Sequence, residues 1–428
     1  MQGKFINNWS DKIIMRAVGI IVEYNPFHNG HQWQVEAAKK QSGCPYVVGV
    51  MSGNFMQRGE PALFDKWKRA EMAIRGGVDL IIELPAVFAV RSAQYFASGG
   101  IRLLNSLGLI SHVCFGAEHA DLTILRKIAN SAGDPDVIKD LHIHLQSGST
   151  YASALGKSLQ SNYHISPDII TAPNNILAVE YLSAVEKFAP QLIPIPISRQ
   201  QSNYSDTIIT TPLASATAIR HALLNSMSIT DEISSTIPST TENIINTLLA
   251  NKRGPVAFNN FSNIVLAQLR AASLEKLEQI PGVSEGLHYK LQNSALRSEN
   301  INQLFTLLKS KRYPYTRLQR IIIHSLLGTR RSQLALFDEC GPLYARVLAF
   351  NQQGRLLLKY INKHSTIPVI TKTTHFLNST ERGRSDLTPL QDMLAIDTLA
   401  SDLYALGMPP SNWNIGGWDF RFSPSFMP

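Results

Sequence analysis

The stretch GIIVEYNPFHNGHQWQVEAAKK, from Gly19 to Lys40, decides how the first half of this chain folds. It begins as a short β-branched apolar run, passes through a turn and continues as an amphipathic segment, which predicts a strand, a turn and a helix in that order. The turn carries His28-Asn29-Gly30-His31, an HxGH pattern at the start of the predicted helix.

The residue types in this turn suit a phosphate-binding site. Gly30 lets a phosphate approach the backbone, and the helix N-terminus presents free N–H groups and the positive end of the helix dipole. The imidazoles of His28 and His31 can donate hydrogen bonds to phosphate oxygens while charge builds at the α-phosphorus of a nucleotide. An alternative stays open on the residues alone, namely that the two histidines only cap the helix.

The alternation of apolar runs and helical segments continues through the first half of the chain. It predicts an α/β fold with a Rossmann-like, doubly wound parallel sheet. Helical material from about 121 to 181 interrupts the alternation as an insertion between the fourth and fifth strands. The predicted strands are Arg16–Val22, Tyr46–Met51, Val78–Leu84, Ser111–Gly116 and Leu192–Ile197.

Length and composition predict two or three domains in the 428 residues. The sequence predicts a nucleotide-binding sheet domain at 1–226, a Ser/Thr-rich linker at 227–243, and a second, mostly α-helical and basic domain at 244–428. Within the second domain, the run IPVIT (Ile367 to Thr371) predicts one short strand.

Charge and composition exclude several classes of protein. The chain is 44% hydrophobic and 17% charged, which excludes a disordered or collagen-like protein. Its formal net charge of +8 favours a polyanionic partner. No apolar run is long enough for a membrane span and the first residues do not read as a signal peptide, so we expect a cytoplasmic protein. No CxxC, HExxH or clustered metal-ligand pattern appears, and we predict no metal site built from side chains.

Three further segments carry polar side chains beside predicted strands or helix starts. The loop SGNFMQRGEP (52–61) follows the second strand, and PNNILAVEY (173–181) begins a helix with two asparagines. In SATAIR, Ser215 and Thr217 supply hydroxyl groups at a helix start, and Arg220 adds a positive charge one turn later. Each segment also has a structural interpretation, as a solvated turn, a helix cap or a surface charge.

The stretch KSKRYPYTRLQR is the strongest basic run. Its cations are interleaved with two tyrosines, a combination that phosphate contacts and base stacking would use. A solvated helix face is the alternative. The candidate RNA-binding residues are Lys309, Lys311, Arg312, Arg317 and Arg320.

Taken together, the blocks VEYNPFHNGH, SGNFMQRGEP, ELP, FGAE, PNNILAVEY and SATAIR resemble the bacterial tRNA(Met) cytidine acetate ligase family. That family lies in the HxGH nucleotidylyltransferase superfamily, and the likeness covers essentially the whole chain. The resemblance implies an ATP-dependent ligase that activates acetate as acetyl-adenylate. The acetyl group would then pass to the N4 amine of the wobble cytidine of elongator tRNA(Met), forming N4-acetylcytidine.

The resemblance also implies site residues, with ATP as substrate and Mg²⁺ as its companion ion. For catalysis these are His28, His31, Ser215, Thr217 and Arg220. The segment QQSNYSD (200–206) departs from the family pattern. The residues that the resemblance implies for ATP binding are Ile21, Val22, Glu23, Tyr24, Asn25, Pro26, Phe27, His28, Asn29, Gly30, His31, Gln32, Trp33, Gln34, Gly116, Asn174, Asn175, Arg199 and Gln200.

Two other functions remain open on the sequence. One is a nucleotidylyltransferase or ligase acting on a small molecule or a carrier protein, for which the first half would suffice. The other is a non-catalytic RNA-binding module on a retained nucleotide-binding fold, for which both histidines would be dispensable.

Overall fold

A computed structural model describes residues 15–147, 149, 151–199, 208–209 and 213–428 of the chain. Its strands form one sheet in the order β5-β4-β1-β2-β3-β6-β7, with β8 paired to β6. The strand bounds are β1 Ala17–Val22, β2 Tyr46–Ser52, β3 Leu80–Leu84, β4 Ile110–Ala117, β5 Ile193–Ser198, β6 Ala345–Asn351, β7 Val369–Ile370 and β8 Ser425–Met427.

The five strands predicted in the first half are confirmed within two residues at each end, and all five are parallel. Chain order runs from β1 to β3 on one side of the sheet, and β4 then returns to the other side of β1. The loops that follow β1 and β4 therefore diverge, which opens a crevice at the carboxyl ends of these strands. The predicted doubly wound α/β fold is confirmed.

Helices cover both faces of the sheet. In the first half they are α1 Asn29–Ser42, α2 Lys66–Arg75, α3 Ala86–Ala89, α4 Ala93–Ser106, α5 Leu122–Asn130, α6 Pro135–Gln146, α7 Tyr151–Tyr163, α8 Pro167–Thr171, α9 Pro173–Phe188 and α10 Ala216–Ser226. After these come α11 Asp231–Ser234, α12 Ser239–Ala250, α13 Ser262–Ala271, α14 Leu274–Glu278, α15 Leu287–Arg297, α16 Ile301–Leu308, α17 Tyr315–Leu327, α18 Arg331–Cys340, α19 Gln352–His364, α20 Pro389–Leu406 and α21 Trp418–Arg421.

The predicted insertion at 121–181 corresponds to two kinds of structure. Helices α5 to α8 surround a small apolar cluster of their own, which includes Ile128, Val137 and Leu159. Helix α9 instead packs along α4 on the main body, where Ala178 and Leu182 join the large core. The insertion is therefore a small helical layer attached through α9.

The sequence did not predict strand β6, and the reason is one buried charge. The run ARVLAFN contains Arg346, and a charged residue is not expected in a core strand, yet Arg346 is only 1% exposed. Strand β6 pairs with β3 antiparallel, so the sheet takes strands from both sides of the predicted linker. The 227–243 stretch itself contains α11 and the start of α12. The division at that stretch into two domains stays a prediction.

Arg346 is tolerated because it belongs to a buried cluster of four charges. The Lys66 ammonium lies 2.7 Å from a Glu83 oxygen and 2.8 Å from an Asp419 oxygen. The Arg346 guanidinium lies 2.9 Å from the same Asp419 oxygen and 3.3 Å from Glu83. The two cations and two carboxylates balance, and they join α2, β3, β6 and α21 in the interior.

This cluster predicts a large stability cost for Lys66→Met, because the variant leaves buried carboxylates short of a cation. We expect a loss of about 3 to 5 kcal/mol in the free energy of unfolding, measured by urea titration. The matched control is Lys68→Met in the same helix, whose Lys68–Glu71 pair is partly solvated and should cost less than about 1 kcal/mol. Equal losses in the two variants would show that the cluster does not stabilise the fold.

Candidate active site

A cavity of about 550 Å³ lies at the carboxyl ends of the parallel strands. Its floor includes Ile21 and Val22 of β1, Phe115 and Gly116 of β4, and Ile197 of β5. This is the ligand side of an open α/β sheet, and the volume is in the range of small-molecule and cofactor sites.

Most of the predicted ATP-binding residues line this cavity. Gln200 lies outside the described residues. The predicted residues on the wall are Ile21, Val22, Glu23, Tyr24, Asn25, His28, Gly30, His31, Trp33, Gln34, Gly116, Asn174, Arg199 and Arg220. Those that are not among the lining residues are Pro26, Phe27, Asn29, Gln32, Asn175, Ser215 and Thr217.

The two histidines are held by the backbone at the start of α1. His28 is the N-cap residue, and its Nδ1 accepts a hydrogen bond from the Gly30 N–H at 3.1 Å. The His28 N–H in turn donates to Nδ1 of His31 at 3.3 Å. The rings stack with centroids 3.6 Å apart. A Cβ on Gly30 would lie 2.9 Å from the His28 ring, so this close approach requires glycine.

This arrangement determines which ring nitrogen carries the proton. Burial, followed by the nearby charges of Arg199 and Arg220, lowers the pKa of His28 to about 3. Burial and the neighbouring His28 hold the pKa of His31 well below its usual value. Both rings are therefore neutral at pH 7. Because each Nδ1 accepts a hydrogen bond, we infer that each Nε2 carries the proton and is a donor.

The start of α10 is bound to the same turn. Ser215 caps this helix through its Oγ, which accepts from the Ala218 N–H at 3.1 Å. The Arg220 guanidinium donates to the Asn25 carbonyl at 3.1 Å and to the Thr217 hydroxyl at 3.2 Å. Two helix N-termini, α1 and α10, thus lie beside one cavity with Arg220 on its wall.

The two predicted asparagines have different environments. Asn174 lines the cavity, and its Oδ1 accepts from Arg199 Nη1 at 3.0 Å. Asn175 is 1% exposed, and its amide bonds the backbone of His119 and Ile169.

Neither asparagine caps α9. The Glu118 carboxylate does so instead, accepting from the Asn174 N–H at 3.2 Å and the Asn175 N–H at 2.9 Å. Of the two asparagines, therefore, only Asn174 is placed to contact a ligand in the cavity, together with Arg199.

Arg69 connects two loops that border the cavity, and the sequence does not single it out. Its side chain is fully buried and donates to the carbonyls of Phe64 and Ser52, both at 3.0 Å, and also to those of Glu23 and Gly53. It ties the loop after β1 to the loop after β2. In the sequence it looks like one more cation of an amphipathic helix, and no local signal separates it from its neighbours.

The Glu23 carboxylate lies on the cavity wall and accepts the Gln57 N–H at 2.6 Å. Burial raises its pKa. It connects the histidine turn to the loop at 52–61.

The predicted RNA-binding residues fall into three environments. Lys309, Lys311 and Arg312 are exposed, and Arg312 pairs with Glu285 at the surface. Arg317 donates to the Gly282 carbonyl and the Ser284 hydroxyl. Arg320 lines the cavity.

Of the two tyrosines in this run, Tyr313 is buried and its hydroxyl donates to the Ser284 carbonyl at 3.0 Å. Tyr315 is 41% exposed and packs against Phe305. Base stacking by Tyr313 is therefore excluded in this conformation.

Across the described ranges, no group of His, Cys, Asp and Glu side chains is arranged to hold a metal ion. Over the same ranges, every helix is too short or too polar to cross a lipid bilayer.

Comparisons with known proteins agree with this geometry. A family model described as HIGH Nucleotidyl Transferase matches residues 15–415. The tRNA(Met) cytidine acetate ligase of Thermoanaerobacter sp. (strain X514) is 39% identical over 410 residues, covering 95% of this chain and 98% of that protein. The protein of the same name from Acetivibrio thermocellus is 39% identical over 401 residues, covering 92% and 95%. The chain belongs to this family of HIGH nucleotidyltransferases.

Solved structures of the family support the fold. Thermotoga maritima TmcAL in its apo form I superposes with a TM-score of 0.89 at 30% identity, covering 96% of this chain and 100% of that one. The form II crystal of the same protein, bound with alpha-thio ATP, gives 0.86 at 29% identity, covering 96% and 99%. The predicted family, its ligase class and the predicted fold are confirmed.

Capping and catalysis by His28 can be separated experimentally. We expect His28→Ser to keep the helix cap, since serine accepts the same N–H, but to lose the Nε2 donor. The rate of nucleotide activation should fall by about 10² or more, because the lost donor acts on charge that grows in the transition state. Activity is measured alongside the unfolding free energy and compared with His28→Ala. A His28→Ser enzyme with near-wild-type activity would assign the histidine to capping alone.

Burial of neutral His28 also predicts a pH dependence of stability. Its folded pKa of about 3 lies below its ordinary value of 6.5, so the unfolded chain binds the proton more readily between these values. The contribution is fully present above about pH 6.5 and is lost as pH falls. The loss amounts to about 2 kcal/mol at pH 5. The wild type should therefore lose more unfolding free energy than His28→Ser between pH 7.5 and 5. Parallel losses would show that His28 is not buried as a neutral ring.

Proposed function

We propose that this protein joins acetate to the N4 amine of the wobble cytidine of elongator tRNA(Met), using ATP and passing through acetyl-adenylate. The observation that carries the proposal is the pair of neutral imidazoles at a helix N-terminus beside a nucleotide-sized cavity. The identities of the acid and the acceptor come from the name of this chain's relatives, tRNA(Met) cytidine acetate ligase.

In the first step, an acetate oxygen attacks the α-phosphorus of ATP in line and pyrophosphate leaves. The Nε2–H groups of His28 and His31 donate to the α-phosphate oxygens as their negative charge grows. The N-termini of α1 and α10, with Thr217 and Arg220, receive the β- and γ-phosphates. No covalent bond to the enzyme forms, so catalysis comes from positioning and from charge neutralisation.

Mg²⁺ fits this site only as a companion of the triphosphate. The described residues provide no cluster that could hold the ion alone, and the wall is rich in cations. Bound to ATP, the ion would neutralise additional charge on the phosphates. Asn174 and Arg199 would hold the nucleoside part of ATP across the cavity.

In the second step, the cytidine N4 amine attacks the carbonyl carbon of the mixed anhydride. The new bond is the amide, and the bond that breaks joins the acetyl carbon to the oxygen shared with phosphate. AMP leaves with that oxygen, and the amine loses one proton.

The exposed cations Lys309, Lys311 and Arg312 support a contact with the tRNA backbone outside the cavity. Each phosphate that such a cation neutralises releases counterions, so binding should weaken with salt. We place the enzyme in the cytoplasm, where tRNA and ATP are both available.

The test is reconstitution with purified protein, ATP, isotopically labelled acetate and a tRNA(Met) transcript. Nucleoside mass spectrometry should find labelled N4-acetylcytidine, with one AMP and one pyrophosphate formed for each acetyl group. The matched control is the same transcript with the wobble cytidine changed to uridine, which should gain no label. ATP turnover that acylates a small molecule or a carrier protein, and never the RNA, would instead identify a different member of the superfamily.

A further inference from the structure

The cavity has a second end that the activation step does not use. From the histidine turn it extends to Gln57 and Arg58 in the loop after β2, to Ser92 at the start of α4, and to Thr316 and Arg320 of α17. From β5 to β3 there are four strand spacings of about 4.8 Å, so the ends of these strands span about 19 Å. A nucleotide at the crevice between β1 and β4 leaves the β2 and β3 side open.

Arg320 is brought to this end by a close crossing of the loop and α17. Gly59 has a φ of 82°, and a Cβ there would lie 2.4 Å from the Arg320 backbone nitrogen. The Arg320 guanidinium donates to the Gln57 carbonyl at 3.4 Å. Since the Gln57 N–H bonds Glu23, a continuous series of contacts leads from the histidine turn to Arg320.

The charge of Arg320 is not balanced by the chain. Within the described parts of the protein, no carboxylate lies within ion-pair distance of its guanidinium, whereas the neighbouring Arg91 pairs with Asp338 at 2.9 Å. Burial, with the charges of Arg317, Arg58 and Arg91, lowers the pKa of Arg320 to about 10. A partly buried cation without a counter-ion, on a cavity wall, favours an anionic ligand.

We propose that Arg320 binds a phosphodiester group of the acceptor RNA and so places the reactive nucleotide at the Gln57, Ser92 and Thr316 end of the cavity. This inference rests on the proposed function and adds the location of the acceptor. It also separates Arg320 from the exposed Lys309, Lys311 and Arg312, which contact RNA outside the cavity.

The phosphates of ATP are the competing ligand for Arg320. In the proposed activation step, the N-termini of α1 and α10 and the Arg220 side chain bind these phosphates. The cations close enough to the histidine pair to affect its titration are Arg199 and Arg220, and Arg320 is not one of them. Arg220 has a carboxylate of the chain nearby, Glu60 at 3.7 Å in the loop after β2, whereas Arg320 has none within the described residues. We therefore assign Arg320, and not Arg220, to the acceptor.

The experiment compares Arg320→Gln and Arg320→Lys in two assays on the full-length protein. Acetate-dependent exchange of labelled pyrophosphate into ATP measures activation, and acetylation of the tRNA(Met) transcript measures transfer. For Arg320→Gln we expect kcat/KM for tRNA to fall at least tenfold more than the exchange rate. The salt slope of tRNA binding should fall by about 0.7 to 0.9, the value for one phosphate contact. Arg320→Lys should recover part of the loss.

Arg355→Gln is the matched control, because it removes one exposed positive charge on α19 that does not line the cavity. Equal losses of exchange and transfer in Arg320→Gln would assign Arg320 to ATP and overturn the inference. Transfer and salt slope equal to those of Arg355→Gln would overturn it as well. If instead the wild type exchanges pyrophosphate but acetylates no RNA, the proposed acceptor is wrong, an outcome distinct from either of these.

Discussion

The start of helix α1 is the constraint on which the site depends. The Nδ1 atoms of His28 and His31 accept hydrogen bonds from backbone N–H groups there, and both rings are held without charge. Capping therefore does not compete with the proposed catalytic role of these histidines, because the cap fixes the tautomer in which each Nε2 is a donor. A neutral donor also avoids the cost of burying a charge before the substrate arrives.

The frame around this turn is held by buried ions rather than by apolar packing alone. Arg69 binds carbonyl groups below the loops after β1 and β2, and the Lys66, Glu83, Arg346 and Asp419 cluster joins the first half of the chain to β6 and α21. The net contribution of such a cluster to the free energy of folding is small, since desolvation of the ions offsets much of their attraction. Its main effect is to fix the relative positions of the elements that it joins. Here the geometry aligns the loops that bound the cavity.

The sequence predicts what depends on local pattern. The parallel strands follow from short apolar runs, and the histidine turn at the start of α1 follows from HxGH between a strand and a helix. The sequence does not predict features that depend on contacts between residues far apart in the chain. Strand β6 is not predicted because it contains Arg346, whose partner Asp419 lies 73 residues away in the sequence. Glu118 caps α9 across a gap in sequence, and Arg320 reads as part of a surface run although the fold turns it into the cavity.

In the proposed activation step, a carboxylate oxygen of acetate attacks the α-phosphorus of ATP in this cavity. Acetate labelled with ¹⁸O in both oxygens tests it most directly, with the position of the label read by mass spectrometry after tRNA acetylation. Because the shared oxygen of acetyl-adenylate comes from acetate and leaves with AMP, we expect one ¹⁸O in each AMP formed. Unlabelled AMP, or label found in inorganic phosphate beside ADP, would contradict it.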